Sequence, residues 1–179
     1  MMNSFEEILT AAKQNGVKKL VIPSPVAADL PLLATAAAAG LIIPVLVGDG
    51  GSVEALVSVS SLAAGKYELV DEIDPGSMLG RAIDLLRNGK ADMLMQGGAA
   101  PQALLGALRD KEQGLLPKGA VISFVSIFQL LKREKLILVT DTFINNNPTL
   151  VEKQQILANA LQLARLLGIE APKVAVLAA

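Results

Sequence analysis

Residues 18–47 read KKLVIPSPVAADLPLLATAAAAGLIIPVLV, and this stretch decides the fold class. The run Lys18 to Ile22 is short, β-branched and closed by Pro23-Ser24-Pro25, as a buried strand should be. Asp29 can cap a helix with Pro31 in its first turn, and the Ala-rich run from Leu32 stops at Gly40. Ile42 to Val47 is then a second strand. Near-continuous apolar strands separated by a helix imply a parallel sheet covered on both faces, hence an α/β three-layer α/β/α sandwich.

The rhythm extends in both directions. Upstream, Ser4 and Glu7 form a capping-box pattern, Phe5, Ile8, Leu9 and Ala12 mark an inward face, and Asn15-Gly16 stops the helix. Downstream, Gly48-Asp49-Gly50-Gly51 turns into a helix expected over Ser52 to Ala64, and Tyr67 to Asp71 is a third strand. Pro75, Gly76 and Ser77 open a helix whose inward residues are Leu79, Ala82, Ile83 and Leu86. Ala91 to Met95 is the next strand, and after Gln96-Gly97-Gly98 a helix begins near Pro101 with Leu104, Leu105 and Leu108 inward.

The pattern changes at Ala120 to Leu131 (AVISFVSIFQLL), a long strand-like run joined by the charged tip KREK to Leu136–Val139. Two strands around a short tip predict an antiparallel hairpin inserted in the mostly parallel repeat. Thr149 and Glu152 form a second capping box ahead of a long helix. Ile156, Ala160, Leu163 and Leu167 give its apolar face, Gln155, Asn159 and Gln162 its polar one, and Gly168 its end. Pro172 to Ala179 reads as a further strand. The domain organisation expected is an N-terminal α/β domain over 1–119 and the start of a second α/β part over 120–179.

Composition narrows the chemistry. The 179 residues contain no Cys, His or Trp, so thiol catalysis, a histidine base and the commonest metal ligand are all absent. Sixteen basic and 17 acidic residues are interspersed, and aromatics make up 3%, which argues against a nucleic-acid surface. The N-terminus is acidic where a secretory signal is basic, and no apolar run reaches membrane-spanning length. A soluble cytoplasmic protein acting on small molecules is the expectation.

Three loops follow strand ends, where ligands of α/β sheets bind. Gly48-x-Gly50 precedes a helix, but Val53 stands where a dinucleotide fingerprint has Gly or Ala, so it reads as a turn and no nicotinamide cofactor is assigned. Met95 to Pro101 combines two glycines with free N–H groups of a helix start, a place for phosphate or carboxylate, or simply a turn. Val139 to Thr142 with Asn145-Asn146-Asn147-Pro148 gathers amides, a hydroxyl and a carboxylate; Asp141 can orient substrate, bind a cation, act as a base or merely shape the turn. Ser123 and Ser126 lie in the apolar run, where hydroxyls commonly bond to backbone.

From Ala91 onward the chain carries ADMLMQGG, LLGALRDKEQGL, VISFVSIF, LILVTD and NPTLVEKQQILANALQLARLLGIEAPKVAVLAA. This ordered set resembles the phosphate acetyl/butyryl transferase family, nearest its phosphate butyryltransferase branch, and the first ninety residues resemble it more loosely. The departures are Gln96 where the family has Lys, Pro101 near its Thr, and Phe124 in place of the His of a Ser-His pair. The resemblance implies the isocitrate dehydrogenase-like fold with two α/β parts around a cleft and acyl transfer between coenzyme A and inorganic phosphate. Acyl-CoA and phosphate are then the substrates, with no covalently bound cofactor, no metal, no nucleic acid, no membrane and a homodimer. The substrate-binding candidates are Gln96, Gly97, Gly98, Ser123, Thr140, Asp141 and Asn145. The family's Ser/Arg and Asp group is expected beyond the position of Ala179, so catalytic residues stay unassigned. The alternative is an inactive CoA- or phosphate-binding module of the same fold.

Overall fold

The structure is a computed structural model that describes residues 1–62, 65–130, 132 and 135–177. Arg133 and Glu134 of the KREK tip and the ends of three expected elements, at Ala63–Ala64, Leu131 and Ala178–Ala179, lie outside the described residues. The chain divides into two compact units: Asn15–Lys118, termed the sheet unit, and Met1–Gln14 with Gly119–Ala179, termed the hairpin unit.

In the sheet unit, β1 (Lys18–Pro23), β2 (Ile42–Gly48), β3 (Glu68–Asp71) and β4 (Met93–Leu94) form one parallel sheet in the order β3-β2-β1-β4. Helices α2 (Leu30–Ala38) and α3 (Gly50–Ser58) place Leu33 and Val53 against Ile22 and Leu46 on one face. On the other face α4 (Pro75–Arg87) packs Met78 and Ala82 against Val21, Val45 and Val47. Helix α5 (Pro101–Leu108) follows β4. The second half of β1, Val21 to Pro23, and nearly all of β2 are buried, which is why these parts of the 18–47 stretch read as unbroken apolar sequence.

Several expectations shift in detail. Helix α3 ends at Ser58, short of Ala64, because Val and Ser are poor helix formers and the Ser58 and Ser60 hydroxyls turn back onto the Ala55 and Val57 carbonyls. The strand expected over 91–95 contracts to two residues, although Asp92 N–H donates to the Lys19 carbonyl and Met95 N–H to that of Val21. Asp29 occupies the N-cap of α2 without capping it; its carboxylate accepts from Val26 N–H at 3.0 Å instead. Met78, one residue off the expected face of α4, is buried while Leu79 is only half-buried.

The hairpin unit contains α1 (Phe5–Gln14), β5 (Val125–Leu130), β6 (Lys135–Thr140) and α6 (Leu150–Leu166). Strands β5 and β6 form the expected antiparallel hairpin, a two-stranded sheet separate from the parallel one. No residue of α1 is buried, and its expected inward Phe5 and Leu9 are about half exposed. Helix α1 is tied instead by polar contacts, Phe5 N–H to the Gln129 side-chain carbonyl at 2.8 Å and Met2 N–H to the Leu167 carbonyl at 2.9 Å. Helix α6 carries the complete Thr149/Glu152 capping box and buries Ile156, Ala160 and Ala164.

Two further readings are corrected here. The strand expected from Ala120 starts only at Val125, since residues 121–123 are claimed by α6 side chains. Residues 172–177 form no strand; a strand needs a ladder partner, and this segment has none among the described residues, leaving Val174, Val176 and Leu177 exposed. No helix among the described residues is long and apolar enough to cross a membrane.

Candidate functional site

In the sheet unit the turn after β2 is filled by the chain's own acids. Asp49 accepts from the Ser52 amide at 2.9 Å and hydroxyl at 2.6 Å, and Asp71 accepts from Gly50 N–H at 2.9 Å. The Ser52 hydroxyl, helped by its amide, holds the Asp49 carboxyl below the usual carboxylate value. Two carboxylates therefore already occupy the start of α3, where a ligand phosphate would sit. Gly48-Asp49-Gly50 is a capped turn.

Sheet order reverses between β1 and β4, and at that switch the loops after the two strands meet. Gly97 has φ +60°, and a Cβ there would collide with the Pro23 carbonyl and the Ile22 side chain. Gly98 donates to the Ser24 carbonyl at 2.8 Å. The two glycines thus let one strand's exit pass close to the other's. Gln96 turns its amide onto the Ala99 carbonyl at 2.7 Å. Helix α5 starts with Ala100 at the N-cap, which offers no side-chain cap, and Pro101 in the first turn. Its early N–H groups retain the capacity to meet an anion.

Ser24 is the residue that sequence reading missed here. It holds a left-handed φ of 49°, bonds to Val47 and Gly98 through its backbone, and points its hydroxyl at the Met78 sulfur, 3.0 Å away. Its signal was the Pro-Ser-Pro punctuation, read only as the end of a strand.

In the hairpin unit Ser123, Thr140, Asp141 and Asn145 are joined in one polar network. Asp141 accepts from the amides of Phe143 and Ile144 at 3.1 and 3.2 Å and from the Asn145 side chain. Asn145 also donates to the Ile122 carbonyl, and the Thr140 hydroxyl to that of Phe124, both at 2.8 Å. From α6, Asn159 donates to Ser123 Oγ at 2.9 Å and to the Val121 carbonyl at 3.0 Å, while Gln155 accepts from Val121 N–H at 3.1 Å. Gln155 and Asn159, expected on the polar face of the helix, are the clamps that hold 121–123. Their i, i+4 spacing placed both amides on one helical stripe, which was the available signal.

Burial raises the Asp141 carboxyl, but bonds from Phe143, Asn145, Ile144 and Phe124 outweigh it and leave the group below its usual value. A carboxylate so supplied with donors is a weak base, and its place in the loop is that of a turn anchor. Beside it Phe124 and Phe143 pack edge to face, 5.0 Å between ring centres. Thr142, Asn146 and Asn147 are exposed. Among the described residues no three carboxylates, histidines or cysteines cluster as metal ligands.

Residues 77–179 match the family model described as phosphate acetyl/butaryl transferase. The chain belongs to this family. It is 33% identical over 178 residues to a phosphate butyryltransferase of Clostridium acetobutylicum, covering 98% of this chain and 58% of that protein. It is 26% identical to a phosphate acetyltransferase of Rhizobium meliloti, covering 99% of this chain and 56% of the relative. The fold is also that of a branched-chain phosphotransacylase of Enterococcus faecalis, with a TM-score of 0.66 at 20% identity over 83% of this chain and 51% of the other. The chain thus spans little more than half the length of the relatives it matches.

Proposed function

We propose that this protein serves acyl transfer between coenzyme A and inorganic phosphate. The observation that carries the reading is the family match, which includes the β4–α5 turn and the whole Asp141 loop. In the transfer, the thiolate of CoA attacks the carbonyl carbon of an acyl phosphate, the C–S bond forms, and the C–O bond to phosphate breaks as phosphate leaves. This chemistry asks for donors toward the phosphate oxygens and the developing oxyanion.

The groups suited to that task are Gln96, Gly97 and Gly98 with the open start of α5, and Ser123, Thr140, Asp141 and Asn145 in the hairpin unit. Gln96 and the α5 amides suit phosphate. Thr140 and Asn145 offer a hydroxyl and an amide, with Asp141 fixing the loop that presents them. The isocitrate dehydrogenase-like assignment, a homodimer and a cytoplasmic location belong to the same proposal.

A second reading is favoured by one feature. Asp141 is saturated with donors and held below its usual value, so the loop is built to hold its shape rather than to take a proton. On that reading the span binds CoA or phosphate without turning over. The test is release of CoA from butyryl-CoA in the presence of phosphate, together with CoA binding by calorimetry. The cysteine-free chain leaves the CoA thiol as the only one in the assay. Phosphate-dependent thiol release supports transfer; CoA binding without release supports the second reading, and neither binding nor release contradicts both.

A further inference from the structure

In the hairpin unit most polar side chains around residues 121–124 spend their hydrogen bonds on backbone. Gln155 accepts from Val121 N–H at 3.1 Å, Asn145 donates to the Ile122 carbonyl at 2.8 Å, and Thr140 donates to the Phe124 carbonyl at 2.8 Å. Asn145 gives its second hydrogen to Asp141, so neither Thr140 nor Asn145 has a donor left. The Asp141 carboxylate is itself met by the amides of Phe143 and Ile144, by Asn145 and by the Phe124 backbone.

Ser123 is different. Asn159 places its side-chain nitrogen between two oxygens, 3.0 Å from the Val121 carbonyl and 2.9 Å from Ser123 Oγ. A carbonyl oxygen only accepts, so the group facing Val121 is the NH2, and the same NH2 gives its second hydrogen to Ser123. The Ser123 hydroxyl therefore accepts from Asn159 and keeps its own hydrogen, which reaches no acceptor among the described residues. Accepting one bond polarises a hydroxyl toward giving a stronger one. Ser123 is half-buried, its neighbours on both sides are pinned, and the Asn159 stripe is set by the burial of Ile156 and Ala160 on α6. Holding Val121 takes only one Asn159 hydrogen; a clamp alone leaves the second unexplained.

We propose that Asn159 is a positioning residue that, by occupying a lone pair of Ser123 Oγ, presents the Ser123 O–H as a fixed donor to an oxygen of the phosphate group. The proposal takes its anion from the acyl-transfer reading and deepens it. Ser123 touches the anion, Asn159 acts through Ser123, and Gln155, Thr140 and Asn145 keep the backbone in place. The charge of Asp141 is spread over the donors of its own loop and Phe124, which limits its repulsion of an anion at Ser123.

The probe is inorganic phosphate, added to about 20 mM at constant ionic strength to the full 179-residue chain. Binding is followed by the backbone amide resonances of residues 122–124 and the side-chain amide of Asn159. Ser123→Ala should weaken phosphate at least about tenfold, as expected for one lost bond to a charged group. Ser123→Thr, which keeps the hydroxyl, should stay within about threefold of the native chain. Asn159→Leu keeps the bulk and loses the donor; it should weaken binding about fivefold or more when Ser123 is present and less than about twofold when combined with Ser123→Ala. Asn159→Ala takes its place if the leucine prevents folding. Ser126→Ala, in the β5 ladder opposite Val139, is the control and should change nothing.

The dependence of one variant on the other separates positioning from clamping. If Asn159 only holds Val121, its loss weakens binding equally with and without the Ser123 hydroxyl. Equal losses in the two backgrounds overturn the inference, as do native affinity in Ser123→Ala and the absence of any phosphate-dependent shift at 122–124 in the native chain. Release of CoA from butyryl-CoA is measured separately. Release indifferent to Ser123→Ala overturns the inference and leaves acyl transfer standing, whereas phosphate binding that needs Ser123 and Asn159 without release counts against transfer and leaves the inference standing.

Discussion

The sheet unit and the hairpin unit are built from similar sequence and reach different degrees of closure. In the first, KKLVIP and IIPVLVG are flanked by helices on both faces, and their residues from Val21 to Pro23 and Pro44 to Gly48 are buried. In the second, VSIFQL and KLILVT are equally apolar, yet of these strands only Leu136 is buried. Strand composition therefore predicts a strand but not its cover; burial depends on what the rest of the fold brings to each face.

The largest expected contrast comes from truncating matched side chains. Leu46→Ala, on β2 and fully buried in the cluster with Ile22, Leu33 and Val53, should cost about 3 kcal/mol, whereas Ile137→Ala on the more open hairpin face should cost about 1 kcal/mol. Urea denaturation measures both, and equal losses would erase the distinction. Glycines give a smaller contrast. Gly97→Ala places a methyl against the Pro23 carbonyl at a left-handed φ and should cost about 2 kcal/mol or more. Gly119→Ala, at φ +81° with open space around it, should cost only about 1 kcal/mol.

Smaller again is the cap of α6. Thr149→Ala removes the acceptor for Glu152 N–H and should lower stability by about 1 kcal/mol, seen as a shift in denaturation midpoint. The smallest effect is in the pH profile. Asp141 is more acidic folded than unfolded, so its contribution is complete above the unfolded value and is lost as pH falls through the folded one, below about pH 4. Asp141→Asn should flatten the acid limb of stability in that window while leaving its shape at neutral pH unchanged. An unaltered acid limb would mean that the amides of Phe143 and Ile144 do not hold the charge.

Much of the fold was legible because its signals are local. Gly40, Gly89 and Gly168 end helices at left-handed φ, and Thr149/Glu152 forms the box its spacing announces. What escaped depends on distant partners. Residues 121–123 read as strand, but their hydrogen bonds go to Gln155 and Asn159, more than thirty positions away. Residues 172–177 also read as strand and lack the ladder that would make them one. For the site, the Asp141 loop was visible as a gathering of polar residues, while the close approach of Gly97 and Gly98 to Pro23 and Ser24 was not, because it depends on a strand more than seventy positions away.

Native-state hydrogen exchange on the 179-residue chain tests the closed-versus-open distinction most directly. The account predicts that amides of β1 and β2 exchange only through global unfolding, while those of β5 and β6 exchange at least about a hundredfold faster through local opening. Equal protection in the two sheets would show that the hairpin unit is already closed and would contradict the account.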